Sequence, residues 1–327
     1  MPGSLLFVTS TRLGDAVLST GVLSHCLNRL PGVRVTVAAG PVAAPIFRNT
    51  PGLERLHVLT KKPGGAHWLD LWARSFLRRW RLVVDLRGSA IAYLVPTSER
   101  LVLGKGERRG HRVEELGRLV GLGESPPAPR IWLGPAERAT AARLVPDGTP
   151  VLALGPAANW RAKTWRPVRF AELAHRLTGS GPLAGARIAV LGAESERDAV
   201  QPVLEALPPD RRLDLVGRVD PLEAAACLAR SRLFVGNDSG LMHVAAAIGV
   251  PTVGLFGPSP VEHYRPWGRW TAVARTPMTP EELMADPAFD HRTSGTLMDG
   301  LTVDEAERVA RALLDAIEER GEWPISS

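Results

Sequence analysis

Residues 235–258 read VGNDSGLMHVAAAIGVPTVGLFGP, and this stretch decides the fold class. An apolar run is followed by a polar turn, Asn-Asp-Ser-Gly, and then by small residues that favour a helix. Gly249 and Pro251 stop that helix before a second apolar run at 252–256. The pattern predicts a strand, a tight turn, a helix and a parallel strand. In such a unit the free N–H groups at the helix start lie at the carboxyl edge of the sheet, where they favour an anion.

The same turn has a simpler interpretation. Asp238 or Ser239 could cap the helix by accepting a hydrogen bond from its first turn, as these residue types commonly do. The turn alone leaves the cap and the anion site equally open, so the rest of the chain has to separate them.

Strand and helix patterns alternate along both halves of the 327-residue chain. Apolar runs predict strands at 5–9, 33–39, 56–59, 82–86, 100–103, 151–154, 187–191, 213–216, 233–235 and 252–256. Helical periodicity predicts helices that include 15–30, 67–80, 136–145, 168–178, 194–206, 221–230, 240–248 and 302–320.

A Pro-rich segment at 124–135 and a turn near Asp147 separate the two halves. We therefore predict an α/β protein with two Rossmann-like, doubly wound domains, residues 1–147 and 148–327. Each domain would present its strand ends to a cleft between them.

The charge balance limits the class of partner. Lys and Arg number 40 against 34 Asp and Glu, which gives a net charge of +6. This excess indicates an acidic partner, which could be a nucleic acid, an anionic membrane or a phosphorylated ligand. A generally Arg-rich proteome would produce the same excess. The sequence contains no basic repeat interleaved with aromatic residues and no zinc pattern, so we predict no nucleic-acid partner.

Other sequence signals concern the compartment. Cys26 and Cys227 lie far apart in helical patterns, so we predict two buried free thiols and a reducing environment. The opening stretch lacks the basic and long apolar regions of a secretory signal. Glycines and prolines interrupt the apolar stretch at 239–261, so it does not predict a membrane-spanning helix.

A single carboxylate follows the first predicted strand. The turn TSTRLGD, 9–15, lacks the glycine spacing of dinucleotide-binding and Walker loops. It places Asp15 at the start of the first helix, at the sheet edge where ligands bind in this fold class. The competing interpretation is a carboxylate that only stabilises the helix N-terminus.

Besides the Asn-Asp-Ser-Gly turn, two loops of the second half carry polar residues after predicted strands. Lys163 lies in a loop between two tryptophans, where it could reach a phosphate. Glu194 and Glu196 open a helix and could instead hold a ribose hydroxyl. No nucleophile elbow, HExxH motif or metal cluster occurs. An enzyme that handles a nucleotide diphosphate without a metal needs positive charge from Lys163, an arginine or a helix N-terminus.

Several segments, in this order, resemble glycosyltransferase family 9, the lipopolysaccharide heptosyltransferase-like enzymes. The matching segments are RLGDAVLSTGVL at 12–23, HRVEELGRLVGLG at 111–123, Lys163-Thr164-Trp165, GAESE at 192–196 and GNDSGLMHVAAAIGVPTVGLFGPSP at 236–260. The resemblance covers nearly the whole chain, and the DSGLMH element is its most specific part.

The resemblance implies a GT-B fold, in which the last helix often returns to the first domain. It implies metal-independent, inverting transfer from a nucleotide-diphosphate sugar, usually ADP-heptose, without a cofactor. The acceptor it implies is the inner-core saccharide of lipid A. We therefore expect a cytoplasmic enzyme with peripheral contact at the inner membrane.

Residue roles follow from the matching motifs. Asp15 matches the proposed general base that takes the proton of the acceptor hydroxyl. Lys163 matches the lysine on the donor phosphates, and Glu196 matches the acidic residue near the nucleoside. The donor diphosphate and sugar motif is matched by Asp238, Ser239, Gly240, Leu241 and His243.

The chain also departs from the family pattern. Hydroxyl residues often precede the lysine, whereas this chain has Ala157, Ala158 and Asn159. Asn159 is then the donor-site candidate, with backbone amides serving the phosphates. The segment at 278–301 differs from the family pattern, so the sugar and the acceptor could differ from heptose and inner core.

Basic residues in first-domain loops are the candidates for binding the acceptor, because acidic sugars, phosphates or anionic lipid would attract them. The candidates are Arg12, Lys61, Lys62, Arg87 and Arg109, with Lys105, Arg108 and Arg112 nearby. A solvated basic surface explains any one of them equally well.

Two other functions remain open at this point. A GT-B relative could act as a nucleotide-sugar epimerase or hydrolase, which would need acid–base groups beyond Asp15. A non-catalytic nucleotide-sugar-binding protein would keep the donor motif but would not depend on Asp15 for turnover.

Overall fold

The computed structural model describes residues 3–104, 106, 110–286, 289–290 and 294–323. It divides into two compact units, Met1–Gly134 and Pro135–Ser327. The division falls before the predicted boundary near Asp147. The reason is that the helix Pro135–Leu144 packs on Pro221–Leu228 of the second unit.

The first unit contains a parallel sheet with strand order β3-β2-β1-β4-β5. Its strands are β1 Ser4–Val8, β2 Arg34–Ala39, β3 Leu53–Val58, β4 Leu82–Asp85 and β5 Arg100–Val102. Its helices are α1 Leu13–Arg29, α2 Ala66–Ala73, α3 Ile91–Leu94 and α4 Arg112–Leu119.

The second unit contains a parallel sheet with strand order β11-β10-β9-β6-β7-β8. Its strands are β6 Val151–Gly155, β7 Arg187–Val190, β8 Arg212–Asp214, β9 Leu233–Asn237, β10 Thr252–Phe256 and β11 Thr271–Arg275. Its helices are α5 Pro135–Leu144, α6 Pro167–Gly179, α7 Arg197–Ala206, α8 Pro221–Leu228, α9 Gly240–Ala247, α10 Val261–Tyr264, α11 Pro280–Leu283 and α12 Val303–Glu319.

The prediction of two parallel, doubly wound α/β units is confirmed. The central strands β1, β6, β9 and β10 are buried at every residue, as expected for parallel strands covered on both faces. In each sheet the strand order reverses at one point, between β1 and β4 and between β6 and β9. Loops that follow these strand pairs diverge, and such crevices are where ligands bind in doubly wound folds.

One predicted helix is shorter in the structure, and one strand of the structure was not predicted. The helix predicted at 67–80 ends at Ala73, because Trp80 forms a β-bridge with Thr97 and its indole donates a hydrogen bond to the Ser75 carbonyl. The edge strand β11 was not predicted, because its alternation depends on alanines that distinguish its two faces weakly.

The last helix, α12, belongs to the core of the second unit. Its apolar stripe packs with α6, β10 and β11, and its residues Leu314 and Ile317 are almost fully buried there. The family resemblance left open that this helix returns to the first domain. Instead, the apolar stripe of α12 covers the second sheet.

The predicted free thiols are confirmed, because Cys26 and Cys227 are both buried and unpaired with another cysteine. Burial raises the pKa of Cys26 to about 12 and that of Cys227 to about 11. Among the helices that the structure describes, none combines the length and apolar character needed to cross a membrane.

Replacing Leu314 by alanine tests the placement of α12. Leu314 is 2% exposed, so the change should lower the free energy of unfolding of the second unit by about 2–5 kcal/mol. Hydrogen exchange should accelerate in α6, β10 and β11. Asp315→Ala, on the exposed side of the same helix, should change stability by less than about 0.5 kcal/mol. Equal acceleration in β1–β5 would contradict this placement.

Candidate functional site

The strand-order reversal in the second unit brings two polar loops together. The loop at 156–166 follows β6, and the Asn-Asp-Ser-Gly turn follows the neighbouring strand β9. Lys163 Nζ donates a hydrogen bond to Asp238 Oδ2 at 2.6 Å. The lysine side chain is 20% exposed and the aspartate side chain 6%. The two residues that the sequence assigned to one ligand therefore meet directly.

The start of helix α9 is not capped by the residue that precedes it. Ser239 occupies the N-cap position, but its side chain makes no capping hydrogen bond. Its Oγ is buried, and within the residues that the structure describes it has no hydrogen-bonding partner. The Asp238 carboxylate is directed to Lys163. The simple capping interpretation of this turn therefore fails, and the first N–H groups of α9 remain suited to an anion.

Gly240 and Leu241 are the first two residues of α9, and His243 lies one turn into it. The His243 side chain is 4% exposed, so it is packed within the unit rather than directed to solvent. This burial suits a residue that orders its surroundings.

Asn237 holds the loop at 156–166, the lysine loop, against the end of β9. Its Oδ1 accepts a hydrogen bond from the Trp165 backbone N–H at 3.1 Å, and its Nδ2 donates to the Pro156 carbonyl at 2.7 Å. It is fully buried. The sequence alone predicts no role for Asn237. The available signal was an amide side chain at the last position of an otherwise buried apolar strand.

Two glycines bring the ends of β6 and β9 close to one aromatic ring. Gly155 pairs with Gly236, and a Cβ added to either glycine would lie 2.6 Å from the Phe234 ring. This distance is shorter than van der Waals contact, so a side chain at either position would force the Phe234 ring to move.

Residues 294–301 brace the lysine loop. They are the last part of the segment at 278–301 that differs from the family pattern, called the atypical segment. Thr296 Oγ1 donates to the Thr164 carbonyl at 2.6 Å, and the Leu297 N–H donates to the Ala162 carbonyl at 2.9 Å. Trp165 Nε1 donates to the Leu301 carbonyl at 2.9 Å. Residues on both sides of Lys163 are therefore anchored.

An exposed ion pair adds to this brace. Arg166 forms a two-pronged hydrogen bond with Asp299, with Nη2 and Oδ2 2.6 Å apart. The hydrogen bond from Arg166 lowers the pKa of the Asp299 carboxyl. Exposed pairs contribute little to stability, so the brace rests mainly on the hydrogen bonds from Thr296, Leu297 and Trp165.

The remaining donor-site candidates lie near the same sheet edge but have other hydrogen-bonding partners or are exposed. Glu196 Oε2 accepts a hydrogen bond from the Ala193 N–H at 2.8 Å, which uses one carboxylate oxygen to close its own turn. Glu194 pairs with Arg197 at 3.0 Å. Asn159 is exposed in the loop before Lys163.

The first unit has its own polar site where β1 and β4 diverge. Asp15 is half-buried in the first turn of α1, whose N-cap residue is Arg12. Asp15 is therefore not the cap of that helix. No hydrogen bond or ion pair joins the Asp15 carboxylate to another residue in the described part of the chain.

Asp85 organises the turn that follows β4. Its carboxylate is fully buried and accepts hydrogen bonds from the Arg87 N–H at 2.8 Å, the Ser89 N–H at 2.9 Å and Ser89 Oγ at 2.5 Å. The sequence analysis does not predict this turn-closing role of Asp85. Its signal was an acidic residue that ends an apolar strand and precedes Gly and Ser, as in turns closed by an aspartate side chain.

The basic candidates of the first unit are distributed over its loops. Arg12 and Lys61 are exposed, and Lys62 pairs with Asp70. The exposed Arg87 guanidinium lies 5.4 Å from the Trp68 ring centroid. Arg112 pairs with Glu115, whereas Lys105, Arg108 and Arg109 lie outside the described residues.

No group of three or more His, Cys, Asp or Glu with metal-binding geometry occurs in the described ranges. The positive charge that the structure offers to an anion at α9 comes from Lys163 and the helix start.

Comparison with known proteins identifies the family. The family model for glycosyltransferase family 9 (heptosyltransferase) matches residues 111–285. Lipooligosaccharide heptosyltransferase 2 of Haemophilus influenzae is 29% identical over 303 residues, which cover 80% of this chain and 86% of that protein.

Two solved structures share the fold over the whole chain. A family 9 glycosyl transferase from Veillonella parvula superimposes with a TM-score of 0.77 at 19% identity, covering 96% of this chain and 97% of that one. The E. coli ADP-heptose LPS heptosyltransferase II gives 0.74 at 21% identity, covering 96% and 99%. The protein is thus a glycosyltransferase with the GT-B fold. It belongs to glycosyltransferase family 9.

Replacing Asn237 by alanine tests the tie between the two loops. The change removes both hydrogen bonds and leaves the Trp165 N–H and the Pro156 carbonyl without that partner. We expect a loss of about 1–3 kcal/mol in the free energy of unfolding, measured by denaturant titration. Gln201→Ala removes an exposed amide of the same unit and should change it by less than about 0.5 kcal/mol. Equal stability of the two variants would argue against the tie.

Proposed function

We propose that this enzyme transfers a heptose from ADP-heptose to a lipopolysaccharide core or a related saccharide, with inversion and without a metal. The family match and the heptosyltransferase relatives support the heptose and the acceptor class. The name of the E. coli structural neighbour, an ADP-heptose LPS heptosyltransferase, supports the donor.

The Lys163–Asp238 contact at the start of α9 is the observation that carries the proposal. A departing nucleoside diphosphate gains negative charge as the bond to the sugar breaks. The lysine ammonium and the first N–H groups of α9 would stabilise that charge electrostatically. The Ser239 hydroxyl, buried without a described partner, would supply a further hydrogen bond. Glu196 would contact the nucleoside side of the donor, and Asn159 would contact the donor from the loop before Lys163.

Asp15 would act as the general base. A carboxylate without a described partner is free to accept the proton of the acceptor hydroxyl while that oxygen attacks the anomeric carbon. Inversion needs one such carboxylate, because no covalent intermediate forms.

The acceptor would bind the first unit through its basic loops. Arg12, Arg87, Lys61 and Lys62 offer positive charge to acidic sugars or phosphates, and Arg109 is a further candidate from the sequence. A lipid-linked acceptor places the enzyme at the cytoplasmic face of the inner membrane, with peripheral contact. We propose that location together with the substrate.

Lys163→Ala tests the donor site by isothermal titration with ADP in the presence of EDTA. Losing a charge-assisted hydrogen bond of about 1.5–3 kcal/mol should weaken ADP binding roughly 10–150-fold. Arg143→Ala removes an exposed positive charge on α5 and should leave the affinity unchanged. If the wild-type enzyme binds no nucleotide diphosphate, the turn at α9 is not a donor site.

Asp15→Asn tests the general base and separates the alternative functions. We expect turnover to fall roughly 10²–10⁴-fold while donor affinity changes less than about twofold. Asp198→Asn, an exposed carboxylate in the first turn of α7, is the matched control. A donor consumed or isomerised without an acceptor would instead indicate a hydrolase or epimerase. Unchanged turnover in Asp15→Asn would exclude Asp15 as the base.

A further inference from the structure

Positive charge is concentrated in one segment of the first unit, residues 61–100. These 40 residues contain eight Lys or Arg and three Asp or Glu, so they carry +5 of the net charge of +6. The remainder of the chain is nearly neutral. The basic character of the protein is therefore a property of this segment and not of its whole surface.

The same segment exposes large apolar side chains. Among the described residues eight large apolar side chains are exposed, and four of them lie here. They are Leu69 at 66%, Leu77 at 85%, Tyr93 at 65% and Leu94 at 58% exposure. Single exposed apolar residues are normal, but a group of this kind on one segment marks an interaction surface.

Leu69 lies on α2 and Tyr93 and Leu94 lie on α3, whereas Leu77 lies in the turn that follows α2. The helices α2 and α3 cover one face of the first sheet. Leu71 of α2 and Ile91 and Ala92 of α3 are buried in a single core cluster with residues of β1 and β4. Trp72 Nε1 also donates a hydrogen bond to the Leu94 carbonyl at 3.2 Å, which joins the two helices. The outer sides of α2 and α3 therefore lie on the same side of the unit.

Aromatic rings lie between the buried and exposed layers. Trp68 and Trp72 pack partly against the core, and the Trp72 and Phe76 rings stack with centroids 4.6 Å apart. The Arg100 guanidinium lies 5.5 Å from the Tyr93 ring centroid. Aromatic rings with arginines beside them are typical of surfaces that sit at the boundary between lipid and water.

Much of the charge on this segment is not neutralised. Lys62 pairs with Asp70 and Arg78 with Glu54, but within the described ranges Arg74 and Arg79 form no ion pair. Both of these arginines are exposed and flank Leu77 in sequence. They can therefore be attracted by external negative charge.

We propose that the α2–α3 surface, defined as Leu69, Arg74, Leu77, Arg79, Tyr93 and Leu94, docks on an anionic lipid bilayer. Leucine and tyrosine side chains would enter the headgroup boundary while the arginines contact lipid phosphates. A second copy of this chain fits less well, because it would oppose two surfaces of the same sign. Nucleic acid would use the arginines but would leave the leucines without an apolar environment.

The proposal deepens the proposed function and rests on it, because a lipid-linked acceptor would be presented at a membrane. Its test uses neither donor nor acceptor. Vesicle binding can therefore fail while ADP binding and sugar transfer persist, and the reverse is equally observable.

The experiment is co-sedimentation of the full chain with vesicles. One set contains phosphatidylcholine alone and the other contains about one-third phosphatidylglycerol, each at low and high salt. We expect binding to the anionic vesicles, weaker binding at high salt and little binding to the neutral ones, because screening weakens the arginine contacts.

Paired variants separate the charge from the apolar contribution. Arg74→Gln with Arg79→Gln should weaken binding to anionic vesicles by about 25-fold, roughly fivefold for each charge. Leu69→Ser with Leu77→Ser should weaken it by at least about tenfold at either salt concentration. Arg143→Gln and Val168→Ser remove an exposed charge and an exposed apolar side chain from the second unit and should bind as the wild type does.

Three results would overturn the proposal. The first is a wild-type chain that does not bind anionic vesicles. The second is binding that both paired variants retain. The third is a dimer in light scattering that Leu69→Ser with Leu77→Ser dissociates, since a second copy would then occupy the surface. ADP titration and thermal unfolding of each variant establish that the chain remains folded.

Discussion

The adjacency of β6 and β9 is the constraint on which the candidate donor site depends. These strands are far apart in sequence, but both are parallel members of one sheet and their carboxyl ends meet at its edge. The loops that leave them belong to the point where the strand order reverses, and Lys163 of one loop meets Asp238 of the other there. Gly155 and Gly236 permit this adjacency, because a side chain at either position would collide with Phe234.

Two neighbouring residues of the Asn-Asp-Ser-Gly turn contact the loop after β6 in different ways. Asn237 is fully buried and ties the loop after β6 in place, whereas Asp238 meets the lysine of that loop. This contact holds the lysine ammonium beside the start of α9, with the Asp238 side chain 6% exposed. Residues 294–301 brace the same loop from its other side, which gives the atypical segment a structural role.

The first unit repeats the arrangement with different residues. Asp85 ends β4 as Asn237 ends β9, but its carboxylate closes the turn of its own strand instead of holding a neighbouring loop. Asp15 follows β1 and keeps its carboxylate without a described partner. Helices α2 and α3 cover one face of this unit's sheet and carry part of the α2–α3 surface, so the same unit holds the proposed acceptor loops and the proposed membrane contact.

The sequence by itself determined the fold class, because buried parallel strands and amphipathic helices leave separate periodicities in the chain. The order of the motifs also indicated the family and predicted Asp15, Lys163 and the turn at 237–240 as site residues. Tertiary structure alone decided that Lys163 reaches Asp238, that Ser239 does not cap α9, and that α12 packs on the second sheet. It also decided the supporting roles of Asn237 and Asp85. These facts depend on contacts between residues distant in sequence, and strand order, which sets those contacts, leaves no periodic signal.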